Sequence, residues 1–175
     1  MPSNGSSTAN RPPSSRAHDR ALIVFDPNVR LNVEPELERW RAQLAWMLPR
    51  TDLLKISEED LALLPPGAAL DTFANAALAQ GVRLVVVTRG AICWTARAYA
   101  GIASVPVDVV DTVGAGDTFQ AALLTWLAER GALNADALGA LVQAELHGAL
   151  TFASRAAAIT CSHRGADMPR RAELN

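Results

Sequence analysis

Hydrophobic and polar residues alternate in short blocks along the chain, and from residue 20 onwards these blocks predict strands that alternate with helices. The apolar runs typical of buried parallel strands are ALIVFD, DLLKI and VRLVVVT, at residues 21–26, 52–56 and 82–88. Two weaker runs, AICWTA and GIASVPV at residues 91–96 and 101–107, predict the strands of a hairpin or meander. Because strands and helices alternate, we expect an α/β fold with a mainly parallel sheet flanked by helices.

Helices are predicted where apolar residues recur every three or four positions. The first covers residues 35–48, and Ser57 is a good N-cap for a second at residues 57–64. A third helix ends at Gly81, a residue type favoured just after a helix, and a fourth spans residues 117–129. The last long helix carries one apolar stripe, formed by Leu138, Leu141, Val142, Leu146, Ala149 and Leu150. The tryptophans fall within apolar patterns and are expected in the core: Trp40, Trp46, Trp94 and Trp126.

Composition and charge narrow the class of protein. Of the 175 residues, 50% are hydrophobic, and the net charge of -2 gives no reason to expect nucleic acid or an anionic membrane as a partner. No apolar run approaches the roughly 20 residues needed to cross a bilayer. Residues 1–19 are polar and rich in Ser and Pro, which predicts a disordered tail before a domain at residues 20–175. The tail has no signal-peptide pattern, and Cys93 and Cys161 are expected as buried thiols, so the sequence indicates a cytoplasmic protein.

The candidate chemistry lies in the stretch GAGD at residues 114–117. A dinucleotide fingerprint needs a third glycine where Phe119 stands, and a P-loop needs a lysine that does not follow, so both fail. What remains is a glycine turn whose amides form an anion pocket at a helix N-terminus. Asp117 in the first turn could accept a proton from a substrate hydroxyl, and a base beside an anion pocket suits phosphoryl transfer to an alcohol. Alternatively, the glycines only form a tight turn and Asp117 only caps the helix.

Longer motifs resemble one family, in the same order along the chain. The stretch DTVGAGDTF at residues 111–119 resembles the C-terminal signature of the ribokinase-like (PfkB) carbohydrate kinases. Two further segments resemble those of its fructokinase-like branch: DPNVR at residues 26–30 and KISEEDL at residues 55–61. Two more resemble segments of the family as a whole: VVVTRGAICW at residues 85–94 and FASRAAAITCSHRGADMP at residues 152–169. The resemblance covers roughly residues 20–170. It implies a ribokinase-like fold and ATP-dependent phosphorylation of a sugar, with fructose as the first acceptor to consider.

The same resemblance implies roles for individual residues. Asp117 corresponds to the catalytic base that deprotonates the sugar hydroxyl. The backbone amides of the three residues before it would form the anion hole for the transferred phosphoryl group: Gly114, Ala115 and Gly116. Thr88 and Gly90 match positions that line the ATP site.

Metal roles follow from the resemblance too, with departures from the family pattern. Asp111 would lie near a monovalent cation such as K⁺. Ser57 and Asp60 stand at the ends of the family's N-x-x-E motif, which organises Mg²⁺ and phosphate, but Ser replaces Asn and Asp replaces Glu. Ser57 could equally be a simple N-cap, Asp26 and Arg30 could form an ion pair at a strand end, and Cys93 stands where the family usually has a glycine.

The resemblance extends to the C-terminal portion of the family only. The N-terminal half of such kinases, which carries most sugar-gripping residues and a small lid, has no counterpart in the sequence, and one sheet edge is therefore expected to be exposed. Two hypotheses stay open. In the first, the chain is a sugar kinase or the catalytic half of one, and it acts as a homodimer or together with an N-terminal half. In the second, the chain is a truncated, catalytically silent nucleotide-binding fragment.

Overall fold

The computed structural model describes residues 21–64, 67, 69–88 and 90–174, so the tail predicted at residues 1–19 lies outside the described part. One five-stranded sheet runs in the order of the chain. Its strands are β1 (Val24–Phe25), β2 (Leu53–Ser57), β3 (Leu84–Thr88), β4 (Ala91–Trp94) and β5 (Tyr99–Ile102). The α-helices are α1 (Leu37–Met47), α2 (Glu58–Leu63), α3 (Leu70–Ala79), α4 (Ala115–Ala128), α5 (Ala135–Ala140) and α6 (Gln143–Cys161). Short 3₁₀ helices cover Leu48–Arg50 and Arg171–Leu174.

The sheet is mixed, with its parallel part at the start of the chain. β1, β2 and β3 pair in parallel, as expected for strands joined by helices, whereas β3, β4 and β5 pair antiparallel as the predicted meander. The fold is therefore the expected α/β sheet with an antiparallel extension. β5 begins at Tyr99, two residues before the predicted start at Gly101, because the turn after β4 is tight: Thr95 N donates to the Ala98 carbonyl (2.9 Å).

Two apolar clusters cover the two faces of the sheet. Side chains alternate along β2, so Leu53 faces the cluster formed with α4 and α6, and Leu54 faces the cluster formed with α1, α2 and α3. Each fully buried leucine stabilises the fold by roughly 1.5–3 kcal/mol relative to an exposed one. α4 packs extensively on α6, where the absence of a side chain at Gly148 leaves room for the ring of Trp126. The result is a three-layer arrangement of helices, sheet and helices.

Three local predictions are wrong. The last long helix is two helices, because Leu141 and Val142 adopt extended backbone between α5 and α6, and Val142 is exposed rather than part of the apolar stripe. The Glu145 side chain accepts a hydrogen bond from Val142 N (2.9 Å), which starts the second helix at that point. Trp46 is 59% exposed, since it lies two positions from the buried Leu44 and therefore on the outer side of α1.

β1 also departs from the prediction of a buried strand. It comprises two residues, both half-buried, and it lies at the edge of the sheet. Among the described strands it pairs only with β2, so its other side has no strand to cover it. None of the described helices combines the length and the apolar composition that a membrane span requires.

Candidate active site

The stretch that precedes α4 is fixed by a glycine in the left-handed region. Gly114 has φ +79° and stands immediately before the helix. A Cβ at this position would lie 2.6 Å from Cβ and 3.0 Å from Cα of Ala166, in the turn that follows α6. Both the backbone conformation and the close approach of Ala166 therefore require glycine at this position.

Asp111 holds the same loop against the C-terminal turn. Its Oδ1 accepts a hydrogen bond from Val113 N (3.0 Å), and its Oδ2 accepts one from Gly165 N (2.9 Å). These amide donors hold the pKa of Asp111 below its usual range, because they favour the charged carboxylate. In addition, the amides of Val110 and Asp111 donate to the carbonyl of Cys161 at the end of α6 (2.8 and 3.2 Å). Asp111 thus holds the loop in place through these hydrogen bonds. Its predicted position near a bound monovalent cation stays a prediction.

A cavity of about 280 Å³ opens beside the N-terminus of α4. Four predicted site residues line it together: Thr88 and Gly90 from the turn between β3 and β4, and Ala115 and Gly116 from the first turn of α4. The remaining lining residues are Ser104, Val105, Val107, Phe119, Ser154, Ala157, Ala158 and Cys161. Residues that are distant in the sequence therefore meet at one cavity.

The backbone amides at the start of α4 are not equivalent. The first intrahelical bond is made by Thr118 N to the carbonyl of Gly114 (2.8 Å), so the amides of Gly116 and Asp117 precede the helical ladder. Ala115 N, in contrast, already donates to the carbonyl of Thr112 (3.2 Å), and it would have to exchange this partner to bind an anion. Asp117 lies in the first turn with its side chain exposed, where the positive end of the helix favours a carboxylate.

Lys55 is a residue of this region to which the motifs alone assigned no role. It is only 4% exposed, and its Nζ forms an ion pair with the carboxylate of Asp26, which follows β1. An ion pair of Asp26 with Arg30 was the alternative left open by the sequence, but the Arg30 guanidinium donates to the carbonyl of Val29 (3.0 Å). A Cβ added at Gly116 would lie 3.4 Å from Lys55 Nζ, so the ammonium approaches the first turn of α4. The signal in the sequence was a lysine within an otherwise apolar strand.

Ser57 ends β2 and Asp60 lies in the first turn of α2, and neither residue lines the cavity. The predicted N-cap is confirmed, since Ser57 Oγ accepts a hydrogen bond from Asp60 N (3.0 Å). Asp60 Oδ1 accepts one from Val29 N (3.2 Å), yet burial raises the pKa of Asp60 above its ordinary value. No group of three or more His, Cys, Asp or Glu side chains among the described residues could hold a metal ion.

Two residues on the α6 side bear on ligand binding. Ser154 is buried and lines the cavity, and among the described residues its hydroxyl has no hydrogen-bond partner. Cys161 also lines the cavity and is half-buried rather than fully buried as predicted. Cys93, which stands where the family usually has a glycine, is buried within β4, and burial raises the pKa of its thiol to about 12.

Comparison with known proteins agrees with this architecture. The profile of the pfkB family carbohydrate kinases matches residues 14–172. Fructokinase-2 of Solanum habrochaites is 31% identical over 150 residues, and fructokinase-2 of Solanum lycopersicum is 30% identical over 150 residues. Each alignment covers 83% of this chain and 44% of the relative, so the chain spans less than half of the length of these relatives.

Solved structures show the same fold. A fructokinase double mutant from Vibrio cholerae O395, in a form with fructose, ADP and potassium ion bound, superimposes with a TM-score of 0.73 at 28% identity over 87% of this chain and 49% of that chain. The aminoimidazole riboside kinase of Salmonella enterica, complexed with aminoimidazole riboside and an ATP analogue, superimposes with a TM-score of 0.71 at 25% identity over 87% and 50%. Because the family profile matches nearly the whole chain, this protein belongs to the pfkB family of carbohydrate kinases.

Proposed function

We propose that this chain catalyses the transfer of the γ-phosphoryl group of ATP to a sugar hydroxyl, with Asp117 as the base. The observation that supports the proposal is the shared cavity at the N-terminus of α4, lined by Thr88, Gly90, Ala115 and Gly116. Asp117 lies in the first turn of the same helix. A helix N-terminus with free amides stabilises negative charge, which is the main requirement of phosphoryl transfer.

The proposed reaction needs one base and one anion hole. The sugar hydroxyl oxygen forms a bond to the γ-phosphorus, the bond from that phosphorus to the β-phosphate oxygen breaks, and ADP leaves. The hydroxyl proton passes to the carboxylate of Asp117, which is the general-base role. The amides of Gly116 and of its neighbours in the loop stabilise the charge on the phosphoryl oxygens, and the positive end of α4 adds to this effect. The fold requires Gly114 for the shape of the turn that presents these amides.

The other walls of the cavity suit a nucleotide. Part of the cavity is an apolar surface that could cover the adenine ring of ATP, and it is formed by Val105, Val107, Ala157 and Ala158. Thr88 and Gly90 approach from the β3–β4 turn. Gly90 has φ +91°, and a Cβ there would lie 3.0 Å from the carbonyl oxygen of Ile102, so this turn also depends on a glycine. The cavity thus has apolar side chains on one part of its lining and the amides of the proposed anion hole, at the start of α4, on another.

Metal ions would be held mainly by the nucleotide. Mg²⁺ commonly binds through one or two carboxylates and the substrate phosphates, and it neutralises charge on the phosphate oxygens. Asp111 lies in the loop before α4 and Asp117 in its first turn, while the described residues contain no group of three or more His, Cys, Asp or Glu that could hold a metal ion by themselves. We propose Asp60, with Ser57 as its positioning N-cap, for the Mg²⁺ side, and Asp111 for the side of a monovalent cation.

Fructose is the acceptor that we propose first. Fructokinases are among the relatives that match the chain, and one solved fructokinase relative has fructose bound. The test is transfer of labelled phosphate from Mg-ATP to a panel of sugars that contains fructose, ribose, a nucleoside and a sugar acid. Fructose-dependent formation of fructose phosphate is expected. Transfer to another acceptor alone would change the substrate, and the absence of any transfer by the folded chain would contradict the proposed activity.

A further inference from the structure

Lys55 is a charged residue at a buried position of β2, among neighbours in β2 and β3 that are mostly apolar. It lies between Leu53 and Ser57 on the face of β2 that is turned towards α4, and its partner across the parallel pairing is Val86. Its side chain is 5% exposed and that of Asp26 is 17% exposed. Because a buried ammonium is costly even when paired, a well-packed apolar residue would serve stability as well or better at this position. Stability alone therefore does not account for the pair.

The direction of the Lys55 side chain points to an anion. Its ammonium, although paired with Asp26, also approaches the first turn of α4, so a lysine N–H donor and the positive end of the helix meet at one place where an anion could bind both. An ammonium has three N–H donors. Among the described residues Asp26 accepts from Nζ, so further donors remain available for a ligand.

Gly116 supplies the second observation. It lies within α4 and has no positive φ, so its backbone conformation does not require glycine. What lies beside it is Lys55 Nζ, 3.4 Å from the point where a Cβ would stand. Gly116 also lines the cavity. The missing side chain therefore leaves the space between the ammonium and the cavity open.

We propose that Lys55 is a phosphate-binding residue of the transfer site, that Asp26 positions its ammonium, and that Gly116 keeps the path between them and the phosphoryl oxygens free. The inference rests on the proposed function, because the anion is taken to be the terminal phosphate of a nucleotide. Lys55 forms no covalent bond in the reaction. It adds a point charge to the amides at the start of α4 and balances charge on the phosphoryl group during transfer.

Affinities for Mg-ATP and for adenosine, which lacks phosphate, separate this role from a structural one. For Lys55→Met we expect affinity for Mg-ATP to fall about 10- to 100-fold, the range for loss of one hydrogen bond to a charged group, with adenosine affinity unchanged. The double variant Lys55→Met with Asp26→Asn removes both charges and is expected to show the same loss. Asp26→Asn alone keeps the ammonium but removes the carboxylate that positions it, so Mg-ATP affinity is expected to fall less than in Lys55→Met, and an affinity equal to that of the wild type would overturn the positioning role.

Gly116→Ala tests the open path without putting folding at risk. Alanine is the better helix former, so this variant is expected to be at least as stable as the wild type, yet to bind Mg-ATP more weakly and adenosine equally well. Circular dichroism and thermal melting of every variant report whether it is folded. If the folded double variant bound Mg-ATP as tightly as the wild type, the phosphate-binding role of Lys55 would be overturned, but the proposed function would not. A wild-type chain that does not prefer Mg-ATP to adenosine would overturn both this role and the proposed function.

Discussion

Gly114 and Ala166 stand so close that a Cβ on the glycine would lie 2.6 Å from the Cβ of the alanine. The contact joins the loop before α4 to the turn after α6. Asp111 reinforces the same junction through its hydrogen bond from Gly165 N (2.9 Å). The loop that would form the proposed anion hole is therefore held by two parts of the chain that are about fifty residues apart, as the 54-residue separation of Asp111 and Gly165 shows.

Replacement of Gly114 by alanine is expected to destabilise the protein by about 2–5 kcal/mol, since it adds left-handed strain of about 1–2 kcal/mol to overpacking of about 1–3 kcal/mol. Gly131→Ala is the matched control, because Gly131 has φ +67° and nothing within 4 Å of an added Cβ. The Gly131→Ala variant should therefore lose only the stability that corresponds to left-handed strain, about 1–2 kcal/mol. Urea unfolding measures both, and equal losses in the two variants would show that the contact with Ala166 does not matter.

The two thiols are expected to differ in reactivity. Cys93 is buried and burial raises the pKa of its thiol to about 12, so iodoacetamide should leave it unmodified at pH 8 until the protein unfolds. Cys161 is half-buried and lines the cavity, so it should react in the native protein and be protected by Mg-ATP. Mass spectrometry of the alkylated peptides, with Cys161→Ala as the control, identifies the site. Modification of native Cys93, or no protection of Cys161, would contradict this assignment.

Ser154→Ala is expected to have opposite effects on stability and on nucleotide binding. Among the described residues the buried hydroxyl of Ser154 has no partner, so its removal should stabilise the free protein by about 1 kcal/mol. Because Ser154 lines the cavity proposed for the nucleotide, the same change should weaken Mg-ATP binding several-fold. Thermal melting with and without Mg-ATP measures both effects. A destabilised free protein would mean that the hydroxyl has a partner after all.

Asp111 and Asp60 are expected to give opposite dependences of stability on pH. The folded-state pKa of Asp111 is lowered from 3.8, so its stabilising contribution is present above pH 3.8 and is lost as the pH falls through the lower folded value. The folded-state pKa of Asp60 is raised from 3.8, so its contribution is present below pH 3.8 and is lost as the pH rises through the higher folded value.

Variants with Asn at these two positions test the signs. Above both pKa values, Asp111→Asn should be less stable than the wild type and Asp60→Asn more stable, because the neutral amide avoids the buried charge. Urea unfolding of both variants between pH 3 and pH 7 measures the differences. Curves that run parallel to that of the wild type in both variants would show that neither carboxylate has the expected pKa.

Local signals in the sequence predicted much of the fold. The buried strands β2 and β3, the N-cap at Ser57 and the helix end at Gly81 each depend on a few neighbouring residues, so the pattern of the chain was sufficient. The exposure of Trp46 could have been read from its spacing to Leu44. The break at Val142 could not, since the apolar stripe continues across it in the sequence and the extended backbone at that point interrupts it.

The site shows the same division. The residues of the GAGD turn were identified from their own motif, and Thr88 and Gly90 from theirs. That the four lining residues share one cavity follows from the topology, because the β3–β4 turn and the start of α4 lie at the same end of the sheet. The pairing of Lys55 with Asp26 joins residues 29 positions apart, and the position of the ammonium beside Gly116 depends on the packing of α4 on β2. No spacing rule in the sequence predicts such contacts.

The central claim is that Asp117 is the base of a phosphoryl transfer to a sugar hydroxyl, and the most direct measurement compares the wild type with Asp117→Asn. The amide keeps the shape of the side chain but cannot accept the proton. We expect both proteins to bind Mg-ATP with similar affinity, while the rate of labelled phosphate transfer to the sugar falls by about 10²- to 10⁴-fold in the variant. Transfer at the wild-type rate by Asp117→Asn would contradict the account.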